Sequence, residues 1–333
     1  MRAIPASVRI RRGSIIVDES LMSTSHPRTM AIIIGAMKAA TTSLFEYLSE
    51  HPQVATCRVK EPGFFAFDHL WSNGPDWYFK LWDFDPSRHS LALEASTDYT
   101  KRPYVPFVPE KMASFDRVRF RLIYVLRHPL RRIESQARHA ALTKAEIGHL
   151  FEPERNFSFD SCISERAVTF SRYAYQIDAY LQYFGRDDIL LLTTEDLQKD
   201  PNESLGRVCQ FLELEPHSFP DSPQAHNTAQ GHVRPHPAWM LLASYELPRR
   251  VLLRTVPQGL KRRWRKIGAQ KPSGRFRLTP EEEEHVLALL LPDLRRIQDY
   301  YGIDIARKWG IRLETIRVRK DLPRYHNTSI IVP

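Results

Sequence analysis

Lys38 stands in the stretch GAMKAATTSL, three places after Gly35 and three before Thr41, with Thr42 and Ser43 following. An apolar run, a glycine, a cation and consecutive hydroxyls are the ingredients of an anion site. Free backbone N–H groups at a helix start, side-chain donors and one positive charge converge on a phosphate. The spacing is not that of a triphosphate loop, which needs a glycine just before the lysine and a Ser or Thr just after it. Here Ala39 and Ala40 separate Lys38 from Thr41.

A second group has similar chemistry. In YVLRHPLRRIESQARHA, Arg127 closes an apolar run and Ser135 follows eight residues later. The planar fork of an arginine and a hydroxyl donor suit a second phosphate. Alone, Arg127 would read equally as a surface charge at a helix start. Beside the first group it reads as a partner, because ligands of open α/β sheets bind beyond the carboxyl ends of the strands. His128, next to it, reads as a corner residue and not as a catalyst.

The elements that must position these groups follow from periodicity. Ala31 to Gly35 and Phe120 to Leu126 are β-branched or apolar runs that read as buried strands, and Asp188 to Thr194 is a third. Helices are expected over Thr42 to Ser49 with Thr41 or Thr42 as N-cap, and after Arg127, His128 and Pro129, through Ser135 to about Leu142. Others are expected over Arg172 to Phe184, Glu203 to Leu212, and Pro280 to Tyr300, the last with Glu281 to Glu284 in its first turn. Strands alternating with helices predict an α/β fold, a central parallel sheet flanked by helices. Residues 216–279 are rich in Pro, His and Arg, with one helical stretch near Trp239 to Leu247, and read as a covering or substrate-facing region. The expected organisation is a poorly ordered leader over 1–28, one domain over 29–310 and a tail over 311–333, with Met22 or Met30 as alternative starts.

Composition excludes several classes. The 333 residues are 42% hydrophobic and 26% charged, ordinary for a soluble globular protein. No window offers the ~18 apolar residues of a membrane span, and no apolar stretch follows the N-terminal arginines as a signal peptide requires. Cys57, Cys162 and Cys209 lie far apart without CxxC spacing and read as buried small hydrophobes in a reducing cytoplasm. The net charge of +9 is uneven: Arg249 to Arg277 holds eleven Lys or Arg and no Asp or Glu, leaving the rest about −2. Such a run fits an anionic ligand, an acidic glycan, contact with an anionic membrane surface or nucleic acid, and equally a solvated basic face.

Taken together, the segments resemble the sulfotransferases that use 3′-phosphoadenosine 5′-phosphosulfate (PAPS). GAMKAATTSL is similar to their 5′-phosphosulfate loop and LRHPLRRIESQ to their 3′-phosphate motif. HPQVATCRVKEPGFF, LEASTDYT, SRYAYQIDAYLQYFGRDDILLLTTEDLQKDP, RVCQFLELEP and LTPEEEEHVLALLLPDLRRIQDYYGIDIARKW continue the resemblance in family order from Met30 to Trp309. It resembles the branch that includes the heparan sulfate sulfotransferases and many bacterial enzymes. In that branch a glutamate in a KE…FF segment is the general base, which carries over to Glu61. The phenol and steroid branch uses a histidine where this chain has LEASTDY, which contains none. Lys60 carries over as a neighbour of the substrate, and Asp98 and Tyr99 as substrate contacts, although Tyr99 equally fits the core. Of the aromatics Phe64, Phe65, Phe67, Trp71, Trp77, Tyr78 and Trp82, most are expected in the core and a few at an acceptor site.

Two positions depart from the pattern. Ala95 stands where the heparan enzymes have a lysine. In place of their lysine-glycine-arginine loop this chain has KPSGR, in which Gly274 and Arg275 match and the lysine is displaced to Lys271.

The resemblance implies in-line sulfuryl transfer, in which positioning and charge stabilisation dominate. Glu61 would take a proton from an acceptor hydroxyl or amine. Lys38 would neutralise the leaving 5′-phosphate, held by Thr41, Thr42, Ser43 and the N–H groups of Ala39 and Ala40. Arg127 and Ser135 would hold the 3′-phosphate. PAPS is the expected cofactor, no metal is expected, and the partner is a small-molecule or glycan acceptor. A divergent small-molecule kinase is the alternative, but it needs a magnesium-holding carboxylate at a strand end where this chain has Arg127. A polyanion- or nucleic-acid-binding module built on Arg249 to Arg277 is the other, and no nucleic-acid-binding motif accompanies it. The expected location is cytoplasmic, in a bacterium.

Overall fold

A computed structural model of the chain describes residues 8–11, 14–17, 26–115, 117–147, 163–219 and 277–317. Five strands form an all-parallel sheet in the order β4–β5–β3–β6–β7. They are β3 (Thr29–Gly35), β4 (Val54–Thr56), β5 (Leu91–Ala95), β6 (Arg119–Leu126) and β7 (Ile189–Thr193). Ahead of them β1 (Val8–Arg11) and β2 (Ser14–Val17) pair as an antiparallel hairpin inside the expected leader. The central strands read as unbroken apolar runs because parallel sheets are covered on both faces. Met30 to Ile34 and Leu122 to Leu126 are wholly buried, each large side chain contributing about 1.5–3 kcal/mol relative to exposure.

The helices are α1 (Thr41–Ser49), α2 (Asp68–Trp71), α3 (Gly74–Phe79), α4 (Val108–Ala113), α5 (Pro129–Ile147), α6 (Glu165–Thr169), α7 (Tyr173–Asp178), α8 (Thr194–Lys199), α9 (Pro201–Leu212), α10 (Pro280–Asp299) and α11 (Ile305–Trp309). The glutamates after Thr279 do what their spacing predicts. Thr279 accepts from the Glu282 N–H while the Glu282 carboxylate accepts from the Thr279 N–H, a reciprocal cap on α10.

The single helix expected over Arg172 to Phe184 is instead α7 followed by a 3₁₀ turn, Tyr180–Gln182. Two anchors break it. Asp293 of α10 accepts from the N–H groups of Ala174 and Tyr175 and so fixes the start of α7. Tyr180, fully buried, donates to the Tyr99 carbonyl at 2.7 Å. Phe64, Phe65, Tyr78 and Trp82 are core residues as expected, with Phe64 and Tyr78 stacked at 4.3 Å. Cys57 and Cys209 are buried free thiols, and burial pushes the Cys57 thiol up to about 12. Among the described residues, no helix is long and apolar enough to cross a membrane. The stretch near Trp239 to Leu247, the basic run as far as 276, Gly274, Arg275, Lys271, Cys162 and the tail beyond 317 lie outside the described residues.

Candidate active site

Because every strand of the sheet points the same way, the loops leaving β3, β4, β5 and β6 emerge along one edge. They carry Lys38, Glu61, Asp98 and Arg127 respectively. The chain steps outward from β3 to β4 and returns through β5, then crosses to β6. This reversal of winding opens a crevice at the strand ends.

The loop after β3 is shaped by Gly35. Its φ is 151°, and a Cβ there would come within 2.1 Å of the Thr100 hydroxyl oxygen, which itself donates to the Ile34 carbonyl at 2.9 Å. Lys38 and Ala40 adopt positive φ of 70° and 60°, a costly conformation for non-glycine residues that surrounding contacts must enforce. Two arginines supply such contacts. Arg127 donates to the Lys38 carbonyl at 2.8 Å, and Arg132 to the Met37 carbonyl at 3.4 Å.

The expected N-cap is corrected. Ala40 occupies that position in the left-handed region with no side-chain cap, and Thr41 already belongs to α1. The first turn of α1 therefore presents its N–H groups without the hydroxyl that ordinarily covers them, at the positive end of the helix dipole. Ala39 is corrected in part: its N–H donates to the Ala36 carbonyl at 3.1 Å and its side chain is fully buried, so it shapes the loop from behind. Thr41 is buried, while Thr42 and Ser43 are partly exposed.

Lys60 joins the two halves of the site by donating to the Thr42 hydroxyl at 3.1 Å. Beside it Glu61 has φ 50° on an exposed turn, followed by Gly63 at φ 64°. The turn is pinned from the β5 side. Gly63 N–H donates to Ser96 Oγ at 3.1 Å, Ser96 donates to Glu94 at 2.7 Å, and Thr97 donates to the Glu61 carboxylate at 3.5 Å. Glu94 is wholly buried and also takes a hydrogen bond from Tyr78.

Desolvation raises the Glu61 pKa above the ordinary carboxylate value and Asp98 adds to the shift, against Lys60, Lys101 and the Thr97 hydrogen bond. Desolvation lowers the Lys38 pKa, with Arg127 and Lys60 in the same direction, while Glu61 opposes. Glu61 thus acts on Lys38 across the crevice: a carboxylate tuned toward base strength and a cation confined among cations.

Tyr99 is the other correction among the expected site residues. It is 1% exposed and its hydroxyl accepts from the Phe65 N–H at 3.4 Å, so it braces the Glu61 segment and does not reach an acceptor. The 3₁₀ turn after β5, Thr97–Thr100, brings the Thr97 hydroxyl to Glu61 and puts Tyr99 beneath the site. Asp98 faces the site and pairs with Lys101 at 2.6 Å. Lys101 and Thr97 went unread in the sequence; their signal was proximity to Asp98 within one turn.

Ser135 lies partly exposed on α5, on the element that Arg127 introduces. Its neighbour Glu134 accepts from the Leu278 N–H at 3.1 Å and pairs with Arg277 at 3.9 Å, which returns the chain to this helix directly after residue 276. The His128 backbone N–H donates to Glu195 at 3.0 Å, and burial with Arg131 holds the imidazole neutral, its pKa lowered to about 4. This fits a corner residue.

Residues 28–232 match the family model described as Sulfotransferase domain. The chain belongs to this family. It is 22% identical over 215 residues to the bifunctional heparan sulfate N-deacetylase/N-sulfotransferase 1 of Caenorhabditis elegans, covering 61% of this chain and 24% of that protein. It is 28% identical over 191 residues to the heparan sulfate glucosamine 3-O-sulfotransferase 5 of Mus musculus, covering 56% and 54%. The chain thus spans between a quarter and about half of these curated relatives. The crystal structure of a sulfotransferase from Alicyclobacillus acidocaldarius superposes with a TM-score of 0.53 at 20% identity, over 85% of this chain and 99% of that one. The sulfotransferase fold expected from the motifs is the fold of this chain.

Proposed function

We propose that this chain transfers a sulfuryl group from PAPS to a hydroxyl or amine of an acceptor, with carbohydrate as the acceptor class. One observation carries the reading: Lys38 and Glu61, on loops from strand ends along one edge of the sheet, stand where the carboxylate acts on the ammonium, beside a helix start that no side chain caps. When bound, PAPS supplies the sulfuryl group and a phosphate leaving group. Thr42, Ser43 and the first-turn N–H groups of α1 would hold the 5′-phosphate, and Arg127 with Ser135 the 3′-phosphate. Glu61 accepts the acceptor's proton as its oxygen or nitrogen forms the bond to sulfur. Lys38 keeps its own proton and faces the negative charge that grows as the sulfur–oxygen bond to phosphate breaks.

Support for a sugar acceptor comes from a surface that starts at Glu61. Asp98 pairs with Lys101, whose ammonium lies 5.9 Å from the Phe170 ring centroid; Tyr104 meets Phe170 at 5.8 Å, and Arg166 lies 4.7 Å from Tyr104. Phe170 is buried beneath this group, and the exposed Tyr104 ring with the cations around it suits a sugar that offers apolar C–H faces and polar or acidic substituents. Lys101 also brings a positive group to Glu61 where Ala95 leaves none. The relatives named for heparan sulfate agree with that class. A kinase reading is disfavoured because β6 is followed by Arg127 and not by a carboxylate.

The test is thermal stabilisation by adenosine 3′,5′-bisphosphate compared with ATP and magnesium, followed by an acceptor screen with labelled donor. Stabilisation by the bisphosphate and label on a saccharide are expected. Stabilisation by ATP and magnesium alone sinks the reading.

A further inference from the structure

Arg132 lies within LRHPLRRIESQ between Arg127 and Ser135 without a role of its own there, yet it is the largest fully buried side chain of the described structure, at 0% exposure. Its guanidinium meets four oxygens: Ser171 Oγ from Nε at 2.8 Å, Gln136 Oε1 from Nη1 at 2.9 Å, the Met37 carbonyl from Nη1 at 3.4 Å, and the Ala167 carbonyl from Nη2. All four are neutral. Among the described residues no carboxylate hydrogen-bonds to Arg132; burial lowers its pKa, and the cation of Arg127 acts in the same direction. A buried charge without a counter-charge is expensive unless something supplies one. One of its contacts leads directly to the loop, the Met37 carbonyl, and the neighbouring Arg127 holds the next carbonyl, that of Lys38.

The peptide geometry gives the contact a direction. In a trans peptide the carbonyl and the following N–H point to opposite sides. Turning the Met37 carbonyl back to Arg132 therefore turns the Lys38 N–H away from the core. Ser171 and Ala167 tie the other end of the guanidinium to α6 and the turn that follows it, where Ser171 also donates to the Ala167 carbonyl at 2.9 Å.

We propose that Arg132 is a positioning residue of the donor-phosphate site. It fixes the Met37–Lys38 peptide so that the Lys38 N–H faces the crevice, and its cationic fork, bonded among the described residues to neutral oxygens, makes the loop favour an anion. The inference rests on the reading of this loop as the donor-phosphate site.

The test titrates adenosine 3′,5′-bisphosphate into the full chain by calorimetry and measures donor KM and kcat, for the wild type, Arg132→Met, and the double variant Ser171→Ala/Gln136→Leu. Arg132→Met keeps the volume and removes charge and fork. The expected result is bisphosphate affinity weaker by about tenfold or more, the loss of a charge-assisted bond, with donor KM raised and acceptor KM unmoved. A purely structural role would lower Tm without that split. The double variant loosens the guanidinium while leaving its charge, and a smaller loss of affinity in the same direction is expected. A folded Arg132→Met protein with wild-type affinity overturns the proposal. Should Arg132→Met fail to fold, unchanged affinity in the double variant overturns it instead. Absence of bisphosphate binding by the wild type removes the donor-site reading and this inference together, a result distinct from the other two.

Discussion

The guanidinium of Arg127 donates to the carbonyl of Lys38 at 2.8 Å, so the residue that closes β6 holds the backbone of the loop that follows β3. The two phosphate groupings are therefore one mechanical unit, and the arginine has a second duty beside contacting an anion. Arg127→Lys keeps the charge and loses the fork. Binding of adenosine 3′,5′-bisphosphate is expected to weaken by about tenfold or more, read by titration calorimetry. Equal affinity in the variant contradicts the unit.

Glu61→Gln removes the proton acceptor with little change of shape. Turnover is expected to fall by about 100- to 10,000-fold, while bisphosphate affinity stays at the wild-type value. Near-full turnover in the variant would falsify the assignment of the base.

The pH dependence of kcat/KM follows from the signs of the two shifts. Glu61 works deprotonated and its pKa is raised, so the acid limb lies above the ordinary carboxylate range. Lys38 works protonated and its pKa is lowered, so the alkaline limb lies below the ordinary lysine value. A bell narrowed from both sides is expected from initial rates across pH. A profile flat through both regions contradicts the coupling.

The neighbours of Glu61 tune the acid limb in opposite senses. Asp98 raises the Glu61 pKa, whereas Lys101 and the Thr97 hydroxyl lower it. Asp98→Asn is expected to move the limb to lower pH, and Lys101→Met or Thr97→Val to higher pH. Shifts in one common direction, measured on the same acceptor, argue against this arrangement.

Gly35→Ala drives a methyl toward the Thr100 hydroxyl and strains a positive φ. A destabilisation of about 1–3 kcal/mol in urea unfolding is expected. Gly35→Ala/Thr100→Ala is expected to recover part of it, because the contact is relieved while the φ strain stays. Wild-type stability in the single variant contradicts the clash.

How much was readable in advance depended on whether a contact was local in sequence. The buried strands announce themselves as apolar runs, and the Thr279 cap as a Thr followed by glutamates. Lys38, Glu61 and Arg127 sit in motifs whose chemistry is visible in their types and spacing. Arg132 reads as one more arginine in a basic helix, because nothing nearby says that Met37 and Ser171 enclose it. Tyr99 was ambiguous for the same reason: only the fold shows Phe65 lying across its hydroxyl. The Thr41 cap failed because a positive φ at Ala40 is imposed by tertiary contacts and not by the preference of alanine. The break after α7 likewise depends on Tyr180 reaching the Tyr99 carbonyl, a contact distant in the chain.

The strand order has a last consequence. The donor-facing groups hang on β3 and β6, side by side at the middle of the sheet, whereas Glu61 follows β4, a three-residue strand at its edge. Central strands are locked by neighbours on both sides; an edge strand is held from one side only and tolerates insertions and changes in the loop it releases. On the proposed reading, evolution could therefore change the acceptor by altering the rim of the sheet, while the groups assigned to the donor stayed untouched at its axis.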